Sequence, residues 1–132
     1  MKQVFADTSA FYALVDKKDP AHARALDFFE VNEFPLLTTN YVFAESMSLI
    51  TKRLGKATAI RFGESLRASE LIRIFHLTPE YEDAAWKEFL RYRDKEFDFV
   101  DSTGFALMSK QDIDTAFSFD RHFAQRGFRL VP

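Results

Sequence analysis

Apolar residues along this chain alternate between short unbroken runs and longer stretches with helical spacing, and that alternation continues from end to end. Lys2 to Ala6 is a short, β-prone run closed by Asp7. A helical pattern covers about residues 9 to 16. Asp19-Pro20 has the form of a helix start, an acceptor side chain ahead of a proline at the first helical position. The helix it predicts runs to about Asn32, with Ala23, Ala25, Leu26 and Phe28 or Phe29 inward. Pro35 to Thr38 predicts a second strand, and Asn40 stands where it would cap a helix from Tyr41 to about Leu54, stopped by Gly55. A further helix follows from about Lys56 to Ser69, and Leu71 to Leu77 alternates as a strand. Thr78-Pro79 opens a helix to about Arg93, and Asp98 opens one to about Lys110. Asp114 to Phe119 reads as a strand, Asp120 caps a short helix ending at Gly127, and Phe128 to Val131 is the last strand.

Strands separated by helices require crossover connections, and crossovers make parallel sheets. The expected fold is α/β, a mostly parallel central sheet of about five strands flanked by helices on both faces. A length of 132 residues with no visible repeat or linker predicts a single domain, residues 1–132. In such sheets ligands bind beyond the carboxyl ends of the strands. Asp7 and Asp120 both fall there.

Four acids then become conspicuous, because each ends or opens a strongly apolar stretch. They are Asp7 after Val4-Phe5-Ala6, Glu45 after Tyr41 to Ala44, Asp101 after Phe97 to Val100, and Asp120 after Ala116 to Phe119. Glu45 lies about 40° around its helix from Leu49, at the margin of the apolar arc. Asp101, Phe105 and Met108 follow the i, i+4, i+7 spacing of a buried face. A helix dipole favours an anion at Asp101 by about 0.3–1 kcal/mol, far too little to offset burying a charge. Each acid alone has an ordinary reading: Asp120 as an N-cap, Asp98 with Asp101 as a capping box, Glu45 as a solvated helix edge, Asp7 as a turn cap. Together they converge on one end of one sheet. Unit charges about 4 Å apart repel by about 4 kcal/mol at an effective dielectric of 20, so the cluster calls for a cation such as Mg²⁺ or Mn²⁺.

Composition narrows the classes further. There is no cysteine, which excludes disulfides and thiolate metal sites. Lys2 and the apolar residues after it look briefly like a signal peptide until Asp7 interrupts them, and no apolar run is long enough to span a membrane. A soluble, cytoplasmic protein is expected. The formal net charge of −2 lacks the basic excess common in nucleic-acid binders, although pocket acids would mask a local basic face. Basic residues do gather at Lys52, Arg53, Lys56, Arg61 and Arg67, and at Arg91, Arg93 and Lys95. His22, His76 and His122 share no ligand spacing, and only His122 sits within a helical turn of a candidate ligand. Phe11 and Tyr12 read as core or dimer surface rather than as base-stacking platforms.

V-F-A-D-T-S-A-F at the N-terminus, T-N-Y-V-F-A-E-S around Glu45, F-D-F-V-D-S-T-G-F-A-L-M around Asp101 and A-F-S-F-D-R-H-F around Asp120 resemble the PIN-domain ribonucleases. The resemblance spans essentially the whole chain and is strongest to the compact VapC-like toxins of toxin–antitoxin pairs. It implies that Asp7, Glu45, Asp101 and Asp120 form an acidic metal-binding and catalytic quartet, with the hydroxyl of Thr8 or Ser9 supporting the metal shell. Asp98 stands where the family commonly has a small hydroxyl residue, and it would be a helix cap or a fifth ligand, the cap being favoured. The implied activity is Mg²⁺- or Mn²⁺-dependent hydrolysis of RNA phosphodiesters by an activated water. The implied partners are an RNA substrate, a cognate antitoxin and a second copy of the chain; residues that bind substrate are not assigned. Two rivals remain: a catalytically silent PIN-like binding module, and a phospho-receiver domain. The receiver fits poorly, since a lone Asp7 follows the first strand and no acid follows the third.

Overall fold

The computed structural model describes residues 2–132. In chain order the elements are β1 (Val4–Ala6), α1 (Thr8–Val15), α2 (His22–Val31), β2 (Leu36–Thr39), α3 (Asn40–Leu54), α4 (Lys56–Ala68), β3 (Ile72–Phe75), α5 (Pro79–Arg91), α6 (Phe99–Lys110), β4 (Thr115–Phe117), α7 (Arg121–Arg126) and β5 (Arg129–Val131). The five strands form one sheet in the order β3-β2-β1-β4-β5. Every pairing in it is parallel. That order differs from the 2-1-3-4-5 of receiver-type folds, which disposes of the receiver reading.

The order also fixes where helices lie. From β1 through β2 to β3 the chain steps one way across the sheet; from β3 it jumps back past β1 to β4 and on to β5. Right-handed crossovers stepping in opposite directions place their helices on opposite faces. Side chains agree. Phe5 meets the α6 backbone at Gly104, where an added Cβ would lie 3.0 Å from its ring, and stacks on Phe123 of α7 at 5.7 Å. On the other face, Phe117 packs against Phe28 of α2 with ring centroids 4.6 Å apart. Phe5, Phe105, Phe117 and Phe123 are all fully buried, so phenylalanine rings make much of the core on both sides of β1 and β4. Phe11 and Tyr12 are buried as well.

Several local expectations are corrected. Thr39, not Asn40, caps α3: its hydroxyl accepts the Val42 N–H at 3.1 Å, and Asn40 instead accepts the Leu77 N–H at 2.9 Å. The helix therefore leaves β2 with no loop between them. Asp19 does not cap α2, because its carboxylate takes the Ala21 N–H at 2.8 Å and its carbonyl the His22 N–H at 2.9 Å. That turn delays the helix to His22 and rotates its inward face to Ala25, Phe28 and Phe29, leaving Ala23 and Leu26 exposed. Strands also end sooner than their apolar runs, as at β3, where only Ile72–Phe75 pairs with β2.

Candidate metal centre

The reversal of strand order between β1 and β4 opens a crevice at the carboxyl end of the sheet, the place where ligands bind in folds of this kind. Asp7 leaves β1 directly into it. Its backbone N–H extends the ladder to Phe117 O at 3.1 Å, so the Asp7 Cα is anchored by the sheet itself. Asp7 occupies the N-cap position of α1, yet its side chain makes no cap bond. Instead Oδ2 accepts from Ser9 Oγ and from Ser118 Oγ, each at 3.0 Å. Ser118 accepts the Asp120 N–H at 3.0 Å, and Ser9 accepts the Phe119 N–H at 2.9 Å. Two hydroxyls thus bind the acid after β1 to the turn after β4.

Asp101 arrives from α6. Asp98 is that helix's N-cap and accepts the Asp101 N–H at 2.8 Å, while Asp101 Oδ2 accepts the Asp98 N–H at 3.1 Å, a complete capping box. The same Oδ2 lies 2.8 Å from His122 Nδ1. Asp120 caps α7 by accepting the His122 N–H at 2.9 Å. Among the described residues, ligand atoms of Asp101, Asp120 and His122 come within 4.8 Å of one another. Glu45, on the half-buried margin of α3, and Asp7 lie outside that tight group but feel its charge.

Electrostatics join all of them. Burial pushes the Asp7 carboxyl up to about 6, against the pull of the Ser118 and Ser9 hydroxyls, and the charge of Asp120 adds to the rise. Burial and then the charge of Asp98 push Asp101 up to about 7, with His122 pulling it back. Glu45 is raised by burial and by the charges of Asp98 and Asp120, while the Thr8 hydroxyl works the other way. For His122, burial favours the neutral ring, but the bond to Asp101 and the charges of Asp120 and Asp98 outweigh it and raise its pKa. Asp120 is felt by every one of these groups.

Carboxylates held close enough to raise one another are a poor arrangement by themselves and a good one around a cation. The donor set is almost entirely oxygen, which suits a small hard divalent ion. The Thr8 hydroxyl supplies an independent sign: it is buried, close enough to Glu45 to lower that acid's pKa, and without a hydrogen bond of normal geometry among the described residues. A buried hydroxyl left unpaired costs about 1–3 kcal/mol, which a ligand in this crevice would remove.

Comparison with known proteins agrees with the fold. The PIN domain profile matches residues 4–129. The chain belongs to the PIN-domain family. The 23S rRNA-specific endonuclease VapC20 of Mycobacterium tuberculosis is 34% identical over 125 residues, covering 95% of each chain. The crystal structure of that organism's VapC20, a Sarcin-Ricin loop cleaving toxin, matches with a TM-score of 0.90 at 33% identity, again over 95% of each chain. FitAcB from Neisseria gonorrhoeae matches with a TM-score of 0.70 at 14% identity, over 98% of this chain and 96% of that one, a likeness of fold alone.

In this PIN domain Asp101 and Asp120 lie closest together, Asp7 is tied to Asp120 through Ser118, and Glu45 feels the charges of Asp98 and Asp120. Asp98 is the N-cap of α6. Ser9 holds Asp7, whereas Thr8 is the unpartnered hydroxyl. Ser118 was missed by sequence reasoning, its one signal being a lone polar residue inside Ala116-Phe117-Ser118-Phe119. His22 turns away from the crevice to the Ala13 carbonyl at 2.7 Å. No helix among the described residues is long and apolar enough to cross a membrane.

Proposed function

We propose that this PIN-domain chain is a divalent-metal-dependent endoribonuclease, the toxin of a toxin–antitoxin pair, and that Asp7, Glu45, Asp101 and Asp120 hold Mg²⁺ or Mn²⁺. The observation that carries the reading is the convergence of these acids at the β1–β4 crevice, where burial and the charge of Asp120 raise Asp7, Glu45 and Asp101 together. When bound, such an ion supplies a water of lowered pKa and a counter-charge for the leaving oxygen.

The chain's own groups do the rest. Ser9 and Ser118 fix the orientation of Asp7, and the Asp98 N–H fixes that of Asp101. The Thr8 hydroxyl, buried and unpaired, is free to turn toward an added ligand. Glu45 has the Thr8 hydroxyl as its one nearby donor, so its carboxylate is available to accept a hydrogen bond from the attacking water and orient it. Water is the nucleophile, and no side chain forms a covalent intermediate.

The substrate proposed first is 23S ribosomal RNA, on the strength of the VapC20 relative. The partners proposed are a small antitoxin and a second copy of this chain, acting in the cytoplasm. Exposed Trp86, Phe89 and Leu90 on α5 offer an apolar surface suited to such a contact.

The test is incubation of purified protein, shown free of bound inhibitor, with total RNA and with isolated ribosomes, in Mn²⁺, Mg²⁺ or chelator. Ends are mapped by sequencing, with Asp101→Asn in parallel. Discrete cuts that require both metal and Asp101 support the reading. Intact RNA under every condition moves the fold to a silent binding module.

A further inference from the structure

The acids leave one polar group of the crevice without a role. His122 is neither a quartet member nor a remote structural histidine, since Nδ1 lies 2.8 Å from Asp101 Oδ2 and 3.4 Å from Asp120 Oδ1. We propose that His122 is a positioning residue of the nuclease site, whose Nδ1–H fixes which oxygen of Asp101 faces the cation. The proposal rests on the metal-dependent nuclease reading and goes a step beyond it.

The argument starts from Asp101. A carboxylate at the end of one methylene is a broad, nearly two-fold rotor, so packing alone does not choose between its oxygens. Here Oδ2 is chosen twice, by the Asp98 N–H at 3.1 Å and by His122 Nδ1 at 2.8 Å. Oδ1 has no hydrogen-bond partner among the described residues, which leaves it to a ligand. The Asp98 N–H belongs to the helix cap and would be satisfied whichever way the rest of the site is arranged. The imidazole has no such duty.

The ring is itself held in place. Its backbone N–H is bound to Asp120 Oδ1 at 2.9 Å, which sets its position on the first turn of α7. Phe97 meets it edge-on, with centroids 5.4 Å apart at 70°. Phe97 is in turn buried against Phe105 at 4.9 Å. An ionised carboxylate only accepts hydrogen bonds, so opposite an ionised Asp101 Nδ1 carries the proton, and it does so in the Nδ1–H neutral tautomer as well as in the cation. The contact therefore does not depend on the charge of the ring. It does exclude ligation through Nδ1, because an Nδ1 that bonds a metal has no proton to donate, and leaves ligation through Nε2 to experiment. Partners of this kind, which orient a ligand from behind, are typically worth 10–100-fold in metal affinity.

The discriminating substitutions follow from atom positions. His122→Asn keeps an N–H donor close to the place of Nδ1, and His122→Leu removes it while keeping bulk. Mn²⁺ affinity is measured by calorimetry on the wild type and both variants, after melts in chelator establish that each is folded. Pulsed electron paramagnetic resonance of bound Mn²⁺ then reports any directly ligated nitrogen. The expected result is roughly tenfold or greater weakening in His122→Leu, recovery of most of that loss in His122→Asn, and no ligated nitrogen in the wild type. Equal affinity in wild type and His122→Leu overturns the positioning role, as does an Asn variant no better than Leu. A directly ligated imidazole overturns it too. A wild type that binds no Mn²⁺ overturns both this proposal and the nuclease reading, so the two failures are told apart.

Discussion

Ser118 Oγ donates to Asp7 Oδ2 at 3.0 Å across 111 positions of sequence. The same oxygen accepts the Asp120 N–H at 3.0 Å, so one hydroxyl sets the spacing between the acid after β1 and the acid after β4. Ser9 repeats the pattern, donating to Asp7 and accepting the Phe119 N–H. With both protons directed at Asp7, the 3.1 Å approach of the two serine oxygens carries no hydrogen of its own. It is tolerated because the carboxylate holds both.

Ser118→Ala should therefore act twice. It removes a buried hydrogen bond to a charged group and leaves the Asp120 N–H unpaired, for a loss of about 1–3 kcal/mol in urea unfolding. It also removes the group that most lowers the Asp7 pKa, so Asp7 is protonated to higher pH and Mn²⁺ binding at neutral pH weakens. A variant of unchanged stability and unchanged metal affinity would show that the hydroxyl bridge is incidental.

Asp101→Asn tests the cation requirement from the opposite side. The amide is nearly the same shape, its oxygen can still accept the Asp98 N–H, and a repelled buried charge is gone. The metal-free variant should melt at or above the wild-type temperature. Wild type at a Mn²⁺ concentration about 100 times its Kd should gain about 2.7 kcal/mol, and the variant should gain little of it. Differential scanning calorimetry with and without Mn²⁺ reads both. A variant that is simply unfolded in chelator would make Asp101 a structural acid.

The features that were legible in the sequence are those set by near neighbours. The run Val4-Phe5-Ala6 before Asp7 and the Asp98/Asp101 spacing each carry their meaning within a few residues, and both are found as read. Thr38-Thr39-Asn40 offers three good capping residues in a row, and the choice of Thr39 comes from where β2 stops pairing. Ser118 is the clearest case of information held elsewhere. It looks like one polar residue between two phenylalanines, and it matters only because β4 lies beside β1 and carries it under Asp7. Likewise the outward Leu26 follows from the Asp19 turn, which displaces the start of α2 and with it the inward face.

The raised acids give the metal-free protein a definite pH response. Asp7 moves from 3.8 to about 6 and Asp101 from 3.8 to about 7, so both bind protons more tightly folded than unfolded. Their contribution to stability is complete below pH 3.8 and is lost as pH rises through about 6 and then about 7. At about 1.4 kcal/mol per unit, Asp7 alone accounts for about 3 kcal/mol of that loss. His122, also raised, works in the same direction. The urea midpoint in chelator should thus fall between pH 5 and 8. Saturating Mn²⁺ should flatten or reverse the slope, because the ionised acids are the ones that bind it. A midpoint that rises with pH in chelator would contradict the burial assigned to Asp7 and Asp101.

Asp98 separates capping from ligation. As the α6 N-cap it uses Oδ1 on the Asp101 N–H, a bond that asparagine makes as well and alanine does not. Asp98→Ala should lose about 1 kcal/mol of stability, and Asp98→Asn far less. The charge of Asp98 is the second largest cause of the raised Asp101 pKa and also raises Glu45, so Asp98→Asn should let both acids ionise at lower pH. Mn²⁺ titrations at pH 6 and pH 8 should then show an affinity at pH 8 close to wild type and a smaller drop on going to pH 6. A cap behaves this way because it shapes the site without touching the ion. If Asp98 were a fifth ligand, Asp98→Asn would weaken Mn²⁺ binding severely at both pH values while leaving stability in chelator intact.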